Sequence, residues 1–421
     1  MTAWPLYVVQ VALGTSLCAY VSYAFLSIWA ARKWRLEAPV LTPHWTPAVT
    51  IFKPVRGVDA EAWDNFASFC RLDYPAGQLQ ILFGALEADD PVLDLVRRLQ
   101  AEFPDHDIGV VVAPPGSVRG NNRKVCNLLA MLPHAKHDLL VLCDSDMRVR
   151  PDYLRRIVAP FKIDSPPVSQ SKASAIQMDI ESIPSIQNPK SRIQNRTVGL
   201  VTCPYQGRSV LSFSAAIEAI SIGADFIPST LVSRAVEGVS FALGSTIVIP
   251  RSVLERIGGF EPLLDELADD FRLGNGVYKA GYGVVLSDYV IDDILGRERF
   301  SRMWSRRLRW SRTLRVCRPA GYMGVFITYG FALALLFLCA MEFSPAGWIV
   351  FAAVTSIRFA TALTITLRYT GDRAVLRFLP LLPVGDLIGI VLYVCSFFGS
   401  HILWRGERFR LLAGGRLARE E

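Results

Sequence analysis

The sequence has no C-x-x-C pair and no cysteine–histidine spacing of a metal site. Its eight cysteines, Cys18, Cys70, Cys126, Cys143, Cys203, Cys317, Cys339 and Cys395, stand apart, several inside apolar runs. That pattern speaks against a zinc module and reads as reduced, buried thiols in a cytoplasm-facing protein. There is no nucleic-acid motif either. The formal charge of +7 comes with arginines clustered beside apolar segments, which suits an anionic inner leaflet rather than a nucleic acid. No basic residue precedes the first apolar run, against a cleaved signal peptide. No internal repeat is present.

Apolar residues are abundant, at 51% of 421 residues, with a mean hydropathy of +0.30. The excess lies at the two ends. Leu6 to Ala30 is long enough for a membrane span, and the trailing Ala31-Arg32-Lys33-Trp34-Arg35 places that flank in the cytoplasm. Met323–Met341, Ala346–Leu367 and Phe378–Leu403 are expected as three further spans, with Arg358 and Asp386 inside the last two. Intramembrane charges usually face protein, so these two are read as a pair or, equally well, as one snorkelling side chain. Four spans would put the C-terminal tail outside, whereas Arg405, Arg408, Arg410, Arg416 and Arg419 argue for inside. A re-entrant or interfacial C-terminal segment would remove that conflict.

Between the ends, residues 36–298 form the expected soluble domain. Val49-Thr50-Ile51-Phe52, Leu79 to Gly84 and Ile108 to Val112 read as strands, and Pro91–Phe103 and Asn122–Leu132 as amphipathic helices. The alternation predicts an α/β fold with a mainly parallel sheet and helices on both faces. Residues 162–195, rich in Ser, Pro, Gln and Ile, are expected as a surface insertion. Ser212–Val236 reads as a core helix pair or an interfacial element, and the second is preferred because an acceptor would arrive from the bilayer.

Polar residues stand at five places where core packing does not require them. Asp144-Ser145-Asp146 ends the apolar run Leu139–Cys143, read as a buried parallel strand. Ligands bind at the carboxyl ends of such strands, where two acidic oxygens suit a hard cation against a diphosphate. Glu87 follows a strand end and could accept a hydrogen bond from a nucleobase, while Asp89 and Asp90 are read as caps for the helix at Pro91. Arg123 and Lys124 open a helix and suit a diphosphate, or are an ordinary basic turn. Asp269-Asp270 suggests a general base, or caps a helix near Phe271. Arg306, Arg309 and Trp310 share one helix face with Arg302, matching phosphate and a stacking wall, or a basic helix (299–320) lying on the membrane.

In this order the groups resemble the nucleotide-sugar glycosyltransferases of the A-type fold with membrane spans. Phe52-Lys53-Pro54-Val55-Arg56-Gly57-Val58-Asp59, Leu72-Asp73-Tyr74-Pro75, Cys143-Asp144-Ser145, Asp89-Asp90-Pro91, Gly258-Gly259, Asp269-Asp270 and the R-x-x-R-W look like the ceramide glucosyltransferase family. Glu87 stands where that family usually has Asp, and residues 162–195 are additional to its pattern. Asn122–Leu128, Met131–Ala135 and Val201–Tyr205 are also similar to a bacterial sister group that transfers N-acetylglucosamine to a hopanoid lipid.

The resemblance implies an A-type domain with one N-terminal and about three C-terminal transmembrane helices (1–35 and 321–421). It implies inverting transfer from a UDP-sugar to a lipid hydroxyl, on ceramide or a hopanoid, at the cytoplasmic membrane face. Mg²⁺ or Mn²⁺ would sit on Asp144 and Asp146, with Asp270 as base beside Asp269. Glu87, Lys124, Arg306, Arg309 and Trp310 would contact donor or acceptor. A processive synthase would need more spans, and a transporter a smaller soluble middle. A non-enzymatic nucleotide-binding scaffold would not need the four groups together.

Overall fold

The computed structural model describes residues 4–39, 45–114, 116, 118–163, 196–404 and 407–419. The expected insertion, from residue 164 to 195, lies outside them. Helix α1 (Trp4–Leu36) has 33 residues and so reaches about 50 Å, well beyond a hydrocarbon core of about 30 Å. Its C-terminal end therefore enters the α/β domain. Ala30, Ala31 and Trp34 are buried there, and the Trp34 indole donates to Ser287 O at 3.1 Å.

The central sheet contains β1 (Val49–Pro54), β2 (Leu79–Ala85), β3 (Asp107–Val112), β4 (Leu139–Cys143), β6 (Val198–Thr202), β8 (Thr246–Pro250) and β9 (Gly283–Leu286), in the order β3-β2-β1-β4-β8-β6-β9. All neighbours are parallel except β8, which runs against β4 and β6. Most of its strands are continuous apolar runs because both faces are covered. Phe52, Leu82, Leu140, Leu142, Ile247 and Ile249 face one core. There they meet α4 (Arg123–Met131), α8 (Arg251–Arg256) and α9 (Asp269–Lys279). Their alternates Ile51, Ile81, Phe83, Val141, Cys143 and Val248 face the other core, with α2 (Ala62–Cys70), α3 (Val92–Glu102) and α5 (Tyr153–Ile163). The mainly parallel α/β domain is thus as expected. A small second sheet joins β5 (Met147–Arg148), β10 (Ile291–Gly296) and β7 (Tyr205–Val210) beside the end of β4.

Of the two aspartates read as caps, Asp90 serves, and Asn122 caps the helix expected to begin there. Asp90 accepts from Val92 N at 3.0 Å and also binds Gly57 N at 2.9 Å, while Asn122 accepts from Val125 N at 3.2 Å. The two helices α6 (Phe213–Ser221) and α7 (Ile227–Glu237) are joined by a π turn, Ile222–Phe226. This corrects the lipid-facing reading of the segment, because 78% of its apolar window is buried within the protein. Apolar composition alone does not distinguish a protein interior from lipid.

The apolar C-terminal region follows α10 (Phe300–Cys317) and α11 (Pro319–Met323). Helix α12 covers only Gly330–Ala340, about 16 Å at 1.5 Å per residue, so the expected span Met323–Met341 is broken. The ring of Tyr20 packs so closely on Gly330 that a Cβ there would lie 2.4 Å from it. Helix α13 (Pro345–Leu363) continues to Thr370, and α14 (Leu382–Ser396) extends the apolar stretch that starts at Ala374. Among the described residues, four helices are long and apolar enough to cross a membrane: Trp4–Leu36, Phe213–Glu237, Pro345–Thr370 and Ala374–Ser396. Arg358 and Asp386 pair at 2.6 Å, as the first alternative expected. Asp386 also accepts from Phe331 N at the start of α12 (2.9 Å), and Arg358 donates to Ala224 O in the π turn (2.8 Å) and to Asp225.

The last apolar helix has both ends against the α/β domain side. Asp372, just before it, binds Arg208 of β7 at 2.6 Å, and Ser396 at its end accepts from Tyr322 at 2.8 Å, one short helix beyond α10. The tail then forms a three-stranded meander, β11 (His401–Trp404), β12 (Glu407–Leu411) and β13 (Leu417–Arg419). It is stitched to the domain by Leu267 N to Gly415 O (3.0 Å), Leu417 N to Asp265 O (2.7 Å) and Asn121 Nδ2 to Leu417 O (3.1 Å). The arginine-rich tail and the α/β domain therefore share one side of the apolar helices, which removes the conflict posed by four spans.

Candidate active site

The end of β4 carries the acidic pair over a buried cation. Lys53 is wholly buried, sits 4.1 Å from the Phe69 ring centre and donates to the carbonyl of Asp144. Ser145 donates to Asp59. The carbonyl of Asp146 accepts from Ile294 N at 3.0 Å, which fixes it against β10. Its Oδ1 is buried and has no hydrogen-bond partner among the described residues. Burial, with Asp144 and Asp59 nearby, pushes the Asp146 carboxyl up to about 6.

The first turn of α4 faces this pair. Lys124 Nζ lies 2.6 Å from Asp144 Oδ1 and 3.7 Å from Asp269 Oδ2. Burial works against its ammonium, yet Asp144, Asp269 and Asp270 hold its pKa above the ordinary lysine value. Its neighbour Arg123 is bound to Glu87. The two basic residues thus part, one to the acidic pair and one to the carboxylate after β2.

Asp269 and Asp270 open α9. Asn122 Nδ2 donates to Asp269 Oδ1 at 3.3 Å. Asp270 accepts from Phe271 N at 2.7 Å on one oxygen and from Gly244 N at 2.9 Å on the other, so its carboxylate is clamped in one orientation. Burial and then Asp269 push its pKa up to about 6, against the pull of Lys124. Gly244 marks the meeting point. A Cβ there would lie 3.1 Å from Asp270 Oδ2, 3.6 Å from Asp144 Oδ2 and 3.6 Å from Lys124 Nζ.

The R-x-x-R-W motif is on α10, as expected, but its members diverge. Arg306 forms a two-pronged pair with Glu298 at 2.6 and 2.8 Å and lies 3.5 Å from Glu218. Its guanidinium is therefore held by carboxylates, 5.4 Å from the half-exposed Trp310 ring. Arg309 lies over the ring of Trp404 in the tail, at 5.5 Å.

The structure brings Asp144, Asp146, Lys124, Asp269 and Asp270 together, with Arg306 close by. Sequence reasoning missed Lys53, Gly244, Glu218, Tyr205 and Asp293. Asp293 sits opposite Met147 in the small sheet, and its pKa is well above the usual range because of burial and Asp146, opposed by Arg306. Tyr205 packs on Phe226 at 4.6 Å and has Asp293, Glu218 and Asp270 as charged neighbours. Glu218 inside the otherwise uncharged stretch Phe213–Ile222, and Asp292-Asp293 directly after Tyr289-Val290-Ile291, were a usable signal; Gly244 carried none.

Among the described residues, no three His, Cys, Asp or Glu side chains are grouped to hold a metal ion. Two carboxylates, one with an orphaned oxygen, nonetheless fit a hard divalent cation that completes its shell with substrate oxygens.

A family model described as glycosyl transferase family 21 matches residues 13–171 and 168–417. The chain is 23% identical to ceramide glucosyltransferase 1 of Caenorhabditis elegans over 435 residues, covering 96% of this chain and 81% of that one. It is 32% identical to ceramide glucosyltransferase of Candida albicans over 119 residues, 26% of this chain and 22% of that one. Among solved structures, the mannosyltransferase PcManGT from Pyrobaculum calidifontis, in complex with GDP-Man and Mn2+, is 19% identical with a TM-score of 0.48, covering 92% of this chain and 99% of that one. S. aureus TarS 1-349 with UDP-GlcNAc is 11% identical with a TM-score of 0.35, covering 89% and 99%.

Proposed function

Since the chain belongs to glycosyl transferase family 21, we propose that it transfers a hexose, glucose foremost, from a UDP-sugar to the hydroxyl of a ceramide-like membrane lipid. The observation that carries this reading is the convergence of Asp144, Asp270 and Lys124 on Gly244. It provides an anion-and-cation wall for a leaving diphosphate next to a clamped base. The names of the matched relatives support a lipid acceptor.

Asp144 and Asp146 would hold Mg²⁺ or Mn²⁺, which when bound neutralises charge on the leaving diphosphate. Lys124 adds a fixed positive charge beside the same oxygens. Asp270 would take the proton from the lipid hydroxyl as that oxygen attacks the anomeric carbon. With a pKa near 6 it is ionised at neutral pH yet more basic than an ordinary aspartate. Its two backbone N–H bonds hold it in place before the acceptor arrives. A single displacement of this kind inverts the anomeric centre and needs no second nucleophile.

In this reading the protein is multi-pass, with the α/β domain and the tail in the cytoplasm. Helix α1, the broken segment from Pro319 to Ala340 and α13 would cross the bilayer. The segment Ala374–Ser396 would lie along its inner face, since both ends contact the domain side. Lys33, Arg35 and the tail arginines favour that orientation.

The test is incubation of membranes containing the protein with labelled UDP-glucose or UDP-N-acetylglucosamine, against ceramide and hopanoid acceptors, reading product masses. Hexosyl-ceramide is the expected product. An N-acetylglucosaminyl hopanoid would replace both the sugar and the acceptor, and absence of any lipid product would refute the reading.

A further inference from the structure

A second polar wall stands beside the acidic pair, built from elements far apart in the chain. Strand β10 contributes Asp293, set one residue from the bond between Ile294 N and Asp146 O. Helix α6 contributes Glu218, only 2% exposed in an otherwise apolar helix, 3.5 Å from Arg306 and 3.9 Å from Arg307 of α10. Asp293 has Asp146, Arg306, Glu218 and Asp144 as its charged neighbours.

Several atoms of this wall are buried without hydrogen-bond partners among the described residues. Two are acceptors, Glu218 Oε2 and Asp146 Oδ1, and two are donors, Arg306 Nε and Arg307 Nη1. Buried polar groups left unpaired are costly, so an orphan set of this size suits a bound group that supplies both donors and acceptors. A diphosphate offers only acceptors and would be repelled by Asp293 and Glu218. An acyl chain offers neither, and the lipid hydroxyl of the proposed reaction is taken by Asp270. A hexose ring offers hydroxyls, each of which donates to a carboxylate and accepts from a guanidinium N–H.

We propose that Glu218 and Asp293, flanked by Arg306 and Arg307, bind the hydroxyls of the donor hexose and select the sugar. This rests on the nucleotide-sugar reading of the adjoining site. The wall places the ring between Asp146, on the diphosphate side, and Tyr205, which borders both Glu218 and Asp270. A carboxylate wall also separates two roles that the R-x-x-R-W motif would otherwise combine. Arg306 is turned toward the sugar by Glu298 and Glu218, leaving diphosphate binding to Lys124 and the cation.

The experiment measures affinities of the full-length protein in detergent with Mn²⁺, by calorimetry, for UDP, UDP-glucose and UDP-deoxyglucose analogues. Each Glu218→Gln or Asp293→Asn variant should lose about tenfold or more in UDP-glucose affinity while UDP binds within about twofold. Retained UDP binding also certifies a folded site. On the unaltered protein, removing the hydroxyl that the wall reads should weaken binding by a similar factor, because the buried partners are then left unpaired. Equal weakening of UDP and UDP-glucose in folded variants would assign the wall to the diphosphate and overturn the proposal. So would deoxy analogues that all bind the unaltered protein as tightly as UDP-glucose. If the unaltered protein bound neither UDP nor UDP-glucose, the nucleotide-sugar reading itself would fail.

Discussion

Gly244→Ala is the sharpest probe of the proposed catalytic geometry. Its backbone is in an ordinary region, since Gly244 is absent from the positive-φ glycines. Alanine therefore costs nothing in the main chain. The added methyl would lie 3.1 Å from Asp270 Oδ2, closer than comfortable packing, and 3.6 Å from both Asp144 Oδ2 and Lys124 Nζ. Asp270 must yield by a few tenths of an ångström, and the same oxygen is bonded to Gly244 N at 2.9 Å. Loosening one such bond costs about 1 kcal/mol in the ground state. A displaced base costs more in the transition state, roughly 1–3 kcal/mol, which is about a 5- to 150-fold fall in kcat. The assay is lipid glycosylation under saturating donor and acceptor, alongside UDP binding and thermal unfolding. The expected pattern is a large fall in kcat, UDP affinity within a few-fold and little change in the unfolding midpoint. A kcat within twofold of the unaltered enzyme would refute the placement of Asp270 as base. By contrast, Gly84→Ala should unfold the domain, since its Cβ would lie 2.3 Å from Asn127 Oδ1 and Met131 Sδ.

Three further outcomes are expected. Asp270→Asn should abolish transfer while sparing UDP binding, and in the unaltered enzyme kcat should fall about tenfold per pH unit below about 6, where Asp270 takes up a proton. A flat profile to pH 5 would contradict this; the raised pKa also means that acidification through 6 relieves rather than worsens this carboxylate's cost to folding. Arg358→Met should destabilise the protein by roughly 3–5 kcal/mol by stranding Asp386 and Asp225, and adding Asp386→Leu should restore part of it. Detergent unfolding curves would show this, and a double variant worse than the single would refute it. Cysteines introduced at Arg373 and Gly399, flanking the last apolar helix, should react with an impermeant thiol reagent from the same membrane side; labelling from opposite sides would make that helix a crossing.

Much of the site was legible because its signals are local. The apolar run into Asp144-Ser145-Asp146 defines a strand and its end, and Asp90 announces a helix by cap chemistry. Arg358 and Asp386 were readable as a pair because a lone charge in an apolar helix needs a partner. What was not legible depends on distance. Asp293 reaches Asp146 only through antiparallel pairing of β10 with β5, and Gly244 matters only because β8 delivers it between α4 and α9. The break in Met323–Met341 ends at Gly330, on which Tyr20 packs, a contact between segments 310 residues apart. Hydropathy is blind to such a break, as it was to the burial of α6 and α7.

The meander β11–β12–β13 bears on how the enzyme comes into being. Its bonds reach Asn121, beside the helix that carries Lys124, and Leu267, two residues before Asp269. Ribosomes deliver these strands only after every apolar helix has been made. The α/β domain can thus emerge and fold early, but the brace behind Lys124 and Asp270 follows the apolar helices. Chains abandoned during membrane insertion would carry all the acidic residues and still lack a braced centre, so activity would be switched on by completed biogenesis.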